Sequence, residues 1–264
     1  MDTLEALFLG IIQGLTEFLP VSSSGHIELG KALLGIEVKE NLLFTVMVHA
    51  GTALSTLVIF WHEIKSLVLG LLAFQWNAAT RYVLLIIISM IPAGIVGVFF
   101  EEAIETYFMG NLFMVGCMLI FTGILLLLTR SIKPTGTDEL NWKQVLLIGI
   151  AQAIAVLPGI SRSGSTIATA LLTGVNKESA ARFSFLMVLP VIGGVTLLKL
   201  KDYFSAPATE SSISNLNLGI GFFAAFVAGV FACRWMIKLV KKSKLSYFAY
   251  YCFIVGLIAI FSAW

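Results

Sequence analysis

The chain has 264 residues, 58% of them hydrophobic and 12% charged, and its mean hydropathy of +0.96 lies well outside the range of soluble globular domains. A net charge of +2, with Lys and Arg scattered between apolar runs, excludes a nucleic-acid surface and makes membrane lipids the expected surroundings. Cys117, Cys233 and Cys252 all lie in apolar segments without zinc-site spacing or His company, so they read as packing residues.

At the N-terminus, Met1-Asp2-Thr3-Leu4-Glu5 is acidic where a cleaved signal is basic, so the first apolar stretch is expected to be retained. Region 4–34 is apolar but broken midway by Pro, Ser and Gly. Its two pieces of about 11 to 14 residues are too short to cross roughly 30 Å of hydrocarbon, which predicts a re-entrant helical hairpin. Stretches long enough to cross follow at 42–61, 80–100 and 111–129. A second interrupted region at 144–175 predicts a second hairpin, followed by crossings at 180–200, 218–239 and 246–264. The expected fold is an all-α integral membrane protein, with six transmembrane helices plus two re-entrant hairpins in one domain, 1–264.

The two interrupted regions superpose without a gap at an offset of 139 residues: Gly10 meets Gly149, Gln13 meets Gln152, Ser22 meets Ser161, Gly25 meets Gly164, and Phe44 meets Phe183. The same offset carries 80–100 onto 219–239, which defines repeat 1 as about 1–130 and repeat 2 as about 140–264. One hairpin and three crossings per half force the second half to enter from the opposite side, so an inverted-topology repeat is expected. Loop charge points the same way. With both termini outside, twelve of the 17 basic residues, Lys133 and Lys244 among them, fall inside and four, including Lys39, fall outside.

Irregular backbone at membrane depth survives only where protein or a wet cavity satisfies it, so the two broken loops should meet in the interior. Ser22, Ser23, Ser24 and Gly25 precede one helix; Ser161, Arg162, Ser163 and Gly164 precede the other. Two helix N-termini then face one pocket suited to an anion. Into it project residues that differ between halves: Glu17 opposite Val156, Ser23 opposite Arg162, and His26 opposite Ser165. Charge inside a bilayer is costly unless paired or solvated, so these residues imply a polar site. Arg162 offers a planar fork to phosphate oxygens. Gln13 and Glu17, one helical turn apart, offer oxygen ligands to a divalent cation, and His26 a movable proton. His49 reads as structural and Glu28 as either structural or functional, while Gly94, Gly97, Gly193 and Gly194 read as helix-contact residues.

The segments QGLTEFLPVSSSGH at 13–26 and PGISRSG at 158–164 closely resemble the two signature motifs of the bacterial undecaprenyl-diphosphate phosphatase family associated with bacitracin resistance. The resemblance implies dephosphorylation of a polyprenyl diphosphate to the monophosphate, which recycles the lipid carrier of cell-wall synthesis. It further implies the inner (cytoplasmic) membrane, a site opening to the outer, periplasmic side, and Mg²⁺ or Ca²⁺. Carried over by residue, it implies metal-associated Gln13 and Glu17, a nucleophile at Ser23, proton transfer or alternative attack at His26, and phosphate clamping by Arg162. Ser22, Ser24, Gly25, Ser161, Ser163 and Gly164 would then line the phosphate pocket. Ser24 stands where many members carry Thr.

Two rivals bear on this reading. Membrane phosphatases of the phosphatidic-acid type share the Ser24-Gly25-His26 tripeptide, but they need a histidine after Arg162, and the three histidines here are His26, His49 and His62. A secondary transporter or lipid flippase is the alternative that inverted repeats alone would suggest. A homo-oligomer is compatible with the sequence.

Overall fold

A computed structural model describes residues 1–35, 42–108, 110–131, 136–205, 213–242 and 245–263. Lys39, Lys133 and Lys244, which enter the loop-charge reading, lie outside these. The described residues form eleven α-helices and no strand: α1 Thr3–Phe18, α2 Ser23–Leu34, α3 Leu42–Ile59, α4 Trp61–Leu72, α5 Ala78–Phe108, α6 Leu112–Leu128, α7 Trp142–Ile154, α8 Arg162–Leu172, α9 Lys177–Ser205, α10 Asn215–Lys241 and α11 Leu245–Ser262.

Helices long and apolar enough to cross a membrane are Ala78–Phe100, Leu112–Ser131, Asn215–Lys241 and Leu245–Ser262, with a fifth if α3 and α4 form one bent span. These meet four of the six expected crossings. The expected crossing at 42–61 instead turns by 79° into α4, a helix that hydropathy alone does not mark. The expected crossing at 180–200 lies within α9, a 29-residue helix with Pro190 inside it.

Both interrupted regions are helical hairpins, α1 with α2 and α7 with α8. Their entry is built the same way. Asp2 accepts from the Glu5 N–H while Glu5 reaches back to the Asp2 N–H, and Asn141 and Gln144, the residues 139 further on, make the same capping box. Each box satisfies two orphan donors and starts the helix at a fixed residue.

The halves interlock rather than sit side by side. α1 packs on α10 and α7 packs on α5, α6 packs on α11, and α3 packs on α9. At the offset of 139 each of these pairings maps onto itself or onto another of the set. Small residues permit the approach, as van der Waals packing in a membrane demands. A Cβ on Gly14 would lie 2.6 Å from the Ala225 carbonyl oxygen, one on Gly149 would lie 2.5 Å from that of Ser89, and one on Gly116 would lie 2.7 Å from that of Gly256.

The glycines expected to make such contacts are different ones. A Cβ on Gly94, Gly97, Gly193 or Gly194 would meet nothing within 4 Å. These positions are open because the apolar faces of α5 and α9 on which they lie are not the faces turned to a neighbouring helix. Two substitutions separate the classes. Gly14→Ala forces α1 away from α10 and should destabilise by about 1–3 kcal/mol. Gly94→Ala should leave the apparent Tm in detergent unchanged or raise it, since Ala is favoured over Gly in a helix by about 1 kcal/mol.

Candidate active site

Each hairpin breaks where the chain cannot remain helical. After Phe18 the backbone becomes extended at Leu19, Pro20 follows, and Ser22 then caps α2 by accepting from the Gly25 N–H at 3.2 Å. In the second half Gly159 adopts φ +96°, and Ser161 caps α8 by accepting from the Gly164 N–H at 3.0 Å. The serine pairs repeat as well: Ser22 and Ser24 hydroxyls lie 3.3 Å apart, as do those of Ser161 and Ser163.

The two loops touch. A Cβ on Gly25 would lie 3.1 Å from the Gly159 Cα, and one on Gly164 would lie 3.2 Å from the Pro20 Cβ; these are equivalent contacts at the offset of 139. Ser163 also donates its hydroxyl to the Leu19 carbonyl at 3.1 Å. Helix α6 holds the second loop from behind. Thr122 donates to the Gly159 carbonyl at 3.2 Å and accepts from the Ser161 N–H at 3.0 Å. The broken backbone thereby finds hydrogen-bond partners within the protein.

At this junction lies the Glu17 carboxylate, its side chain only 5% exposed. One oxygen, Oε2, accepts from Ser23 Oγ–H at 2.6 Å and from Gln13 Nε2–H at 2.9 Å. The other, Oε1, is ion-paired with Arg162 Nη2 from the opposite hairpin. Gln13, Glu17, Ser23 and Arg162 are thus one connected cluster. It joins the C-terminal end of α1 to the first residues of α2 and α8, where backbone N–H groups and positive dipole ends concentrate.

His26 stands beside this cluster with both ring nitrogens engaged elsewhere. Nδ1 lies 2.8 Å from the Ser22 carbonyl and Nε2 lies 2.8 Å from the Tyr251 hydroxyl. A carbonyl can only accept, so Nδ1 carries the proton and donates. The Ser23 hydroxyl is therefore held by Glu17 and not by His26.

Two residues near the site carry no motif signal. His49 places Nε2 at 3.9 Å from Glu17 Oε2, while its Nδ1 bonds the Thr45 carbonyl at 2.7 Å, so the position read as structural lies against the central carboxylate. The polar stripe Thr45, His49, Thr52 and Thr56 along α3, spaced at three and four residues, is the sequence signal that could have shown it. Tyr251 comes from α11, far from either motif. Glu28 is buried, paired with Lys31 at 3.0 Å and accepting from the Gly110 N–H at 3.3 Å. It holds the α5–α6 connection and stands outside the cluster.

Among the described residues no group of three His, Cys, Asp or Glu gathers around one point. A cation would therefore rest on few protein ligands. Gln13 turns its Nε2 to Glu17 and leaves Oε1 a buried oxygen with no hydrogen-bond partner among the described residues; these two side chains are the oxygen donors here that could hold a Mg²⁺-like ion completed by phosphate and water oxygens.

The profile of the family described as Bacitracin resistance protein BacA matches residues 6–258. A Bacteroides fragilis protein named undecaprenyl-diphosphatase is 55% identical over 260 residues, covering 98% of each chain. One of the same name from Christiangramia forsetii is 56% identical over 266 residues, covering 100% of this chain and 99% of its own. Another, from Methanobrevibacter smithii, is 38% identical over 273 residues, covering 98% and 96%.

The charge pair can be tested by stability alone. Removing one partner of a buried pair leaves an uncompensated charge, so Arg162→Ala should cost about 3–5 kcal/mol. Thermal unfolding in detergent should show the double variant Glu17→Ala/Arg162→Ala to be more stable than Arg162→Ala alone. The opposite ranking would mean that the pair is not buried as described.

Proposed function

This chain belongs to the Bacitracin resistance protein BacA family, and we propose that it is the enzyme that hydrolyses undecaprenyl diphosphate to undecaprenyl phosphate and phosphate. It is a multi-pass membrane protein, and the reaction returns the spent lipid carrier of cell-wall synthesis to use. Family membership favours this enzymatic reading over the transporter alternative. The finer topology is part of the same reading: six crossings and two re-entrant hairpins in inverted repeats, in the bacterial inner membrane, with both termini and the site mouth on the periplasmic side. The exchange of packing partners between the halves, α1 on α10 and α7 on α5, supports it.

One observation carries the site assignment. A single carboxylate, Glu17, holds the Ser23 hydroxyl on one oxygen and Arg162 on the other, where two helix N-termini converge. Ser23 Oγ attacks the terminal phosphorus while its proton passes to Glu17 Oε2. The bond from that phosphorus to the bridging oxygen breaks, and undecaprenyl phosphate leaves into the bilayer. Glu17 passes that proton to the departing bridging oxygen; water then attacks the phosphoserine and gives a proton to Glu17, which returns it to Ser23 Oγ as the P–Oγ bond breaks and phosphate is released.

Arg162 uses part of its five-donor fork on Glu17 and has donors left for the equatorial oxygens. The N–H groups opening α2 and α8 that the caps and Thr122 do not use, those of Ser23, Ser24, Arg162 and Ser163, hold the charge that develops there. Glu17 and Gln13 would hold a Mg²⁺ or Ca²⁺ ion, which supplies charge neutralisation to the diphosphate. Positioning and charge neutralisation do most of the work, and His26 acts from behind Ser22.

The test is phosphate release from undecaprenyl diphosphate by the purified protein in detergent with added Mg²⁺ or Ca²⁺. Ser23→Ala, Glu17→Ala and Arg162→Ala, each assayed on the folded, monodisperse fraction, should lose turnover by about 10²-fold or more. Rapid acid quench should trap phosphate on a Ser23 peptide. Full activity in both Glu17→Ala and Arg162→Ala would overturn the site, even if the wild type were active.

A further inference from the structure

The duplicated loops differ in the backbone of the residue that caps the second helix. Ser22, the cap of α2, sits at φ +69°, whereas its equivalent Ser161 sits at φ −75°. Among the described residues, Ser22 is one of only two non-glycines with positive φ. An L-residue is strained there and needs surrounding structure to hold it. The conformation matters because the next residue is Ser23, whose hydroxyl lies 2.6 Å from Glu17.

What surrounds Ser22 also differs between the halves. Its carbonyl receives two bonds from one residue, the His26 N–H at 3.1 Å and the His26 ring Nδ1–H at 2.8 Å. The ring is fixed in turn by the Tyr251 hydroxyl, 2.8 Å from Nε2, and the two rings lie within 10° of parallel. With Nδ1 protonated, Nε2 is the acceptor and the phenol donates. At the equivalent positions of the other loop stand Ser165 and Leu112, which offer no ring; the Ser165 hydroxyl has no hydrogen-bond partner among the described residues, and only the Ser165 N–H reaches the Ser161 carbonyl, at 2.8 Å. The chain of bonds occurs where the strain occurs and is missing where it is missing.

We infer that Tyr251 is a positioning residue of the active site: through His26 it holds Ser22 in the left-handed region and so aims the Ser23 hydroxyl at Glu17. The inference rests on the proposed phosphatase reaction for its kinetic consequence but not for its geometry. Tyr251 lies on α11, in the second repeat, so that repeat contributes to the attacking group as well as to the arginine. Tyr251→Phe removes one hydroxyl and keeps the ring.

Tyr251→Phe should lower kcat by about tenfold with little change in KM, since the loss falls on aiming and not on substrate binding. His26→Ala should lose at least as much, and adding Tyr251→Phe to it should change nothing further. Glycine accepts positive φ freely and is a tolerable cap, so in a Ser22→Gly background Tyr251→Phe should cost less than about twofold. Unchanged kinetics in Tyr251→Phe, a rise in KM alone, or an undiminished loss in the Ser22→Gly background would each overturn the inference.

A readout independent of turnover keeps it testable if the phosphatase reading itself fails. In protein with ¹⁵N-labelled histidine, His26 should show the Nδ1–H tautomer, with an Nε2 resonance that moves in Tyr251→Phe. An unmoved resonance would mean that the phenol is not its partner. Absence of phosphate release by the wild type would count against the reaction and leave this spectroscopic result to decide the relay.

Discussion

The structure turns on one ion pair. Glu17 and Arg162 come from different hairpins, and neither charge would be tolerable buried there alone. Each makes the other admissible, and the hydrogen bonds from Ser23 and Gln13 fall on the carboxylate oxygen that Arg162 leaves. Because the partners belong to opposite repeats, the pair forms only when both broken loops reach the same place. Charge, loop position and repeat packing are therefore one condition.

Interdigitation meets that condition. If α1 packed against its own repeat, its loop would end beside α5; instead it lies on α10, while α7 lies on α5. Each hairpin is drawn into the other half, and backbone-to-backbone approaches at Gly10, Gly14 and Gly149 give the contact its closeness. The loops then satisfy each other: Gly25 faces Gly159, Gly164 faces Pro20, and Ser163 donates to Leu19. Irregular backbone away from water needs such partners, and the match between loops replaces what water would otherwise do.

Much of this was legible in the sequence because duplication and charge leave marks in one dimension. The offset of 139 residues, the breaks near Pro20 and Gly159, and the divergence of Glu17 from Val156 and of Ser23 from Arg162 all point to one shared polar centre. Properties that depend on helix rotation were not legible. Hydropathy cannot say which face of α5 or α9 meets a neighbour, so Gly94 and Gly193 looked like contact residues and face open space. Nor can it mark the 79° turn after Ile59, since both arms are apolar. His49 was hidden for a related reason. A lone polar residue in a span is ambiguous until its helix is oriented, although the stripe it shares with Thr45, Thr52 and Thr56 held the clue. Tyr251 left no trace at all, being an aromatic residue in an aromatic-rich helix whose role depends on one hydroxyl.

A symmetric scaffold would by default build two equal half-sites, each with a cap, a serine pair and a helix N-terminus, and the local hydrogen bonds of the two loops are indeed alike. Phosphoryl transfer needs unlike roles, with a nucleophile and base on one side and a cation on the other. On the proposed assignment, placing Glu17, Ser23 and the strained Ser22 on one copy and Arg162 on the other divides those roles across the junction. On that assignment, strain at the cap accompanies the loop that aims the attacking atom. The arginine loop can rest at φ −75°, because a long, multi-donor guanidinium finds phosphate oxygens without a specially bent backbone. Duplication thus explains how the two loops come to meet, and the departures from duplication explain why the two sides of the junction carry different functional groups.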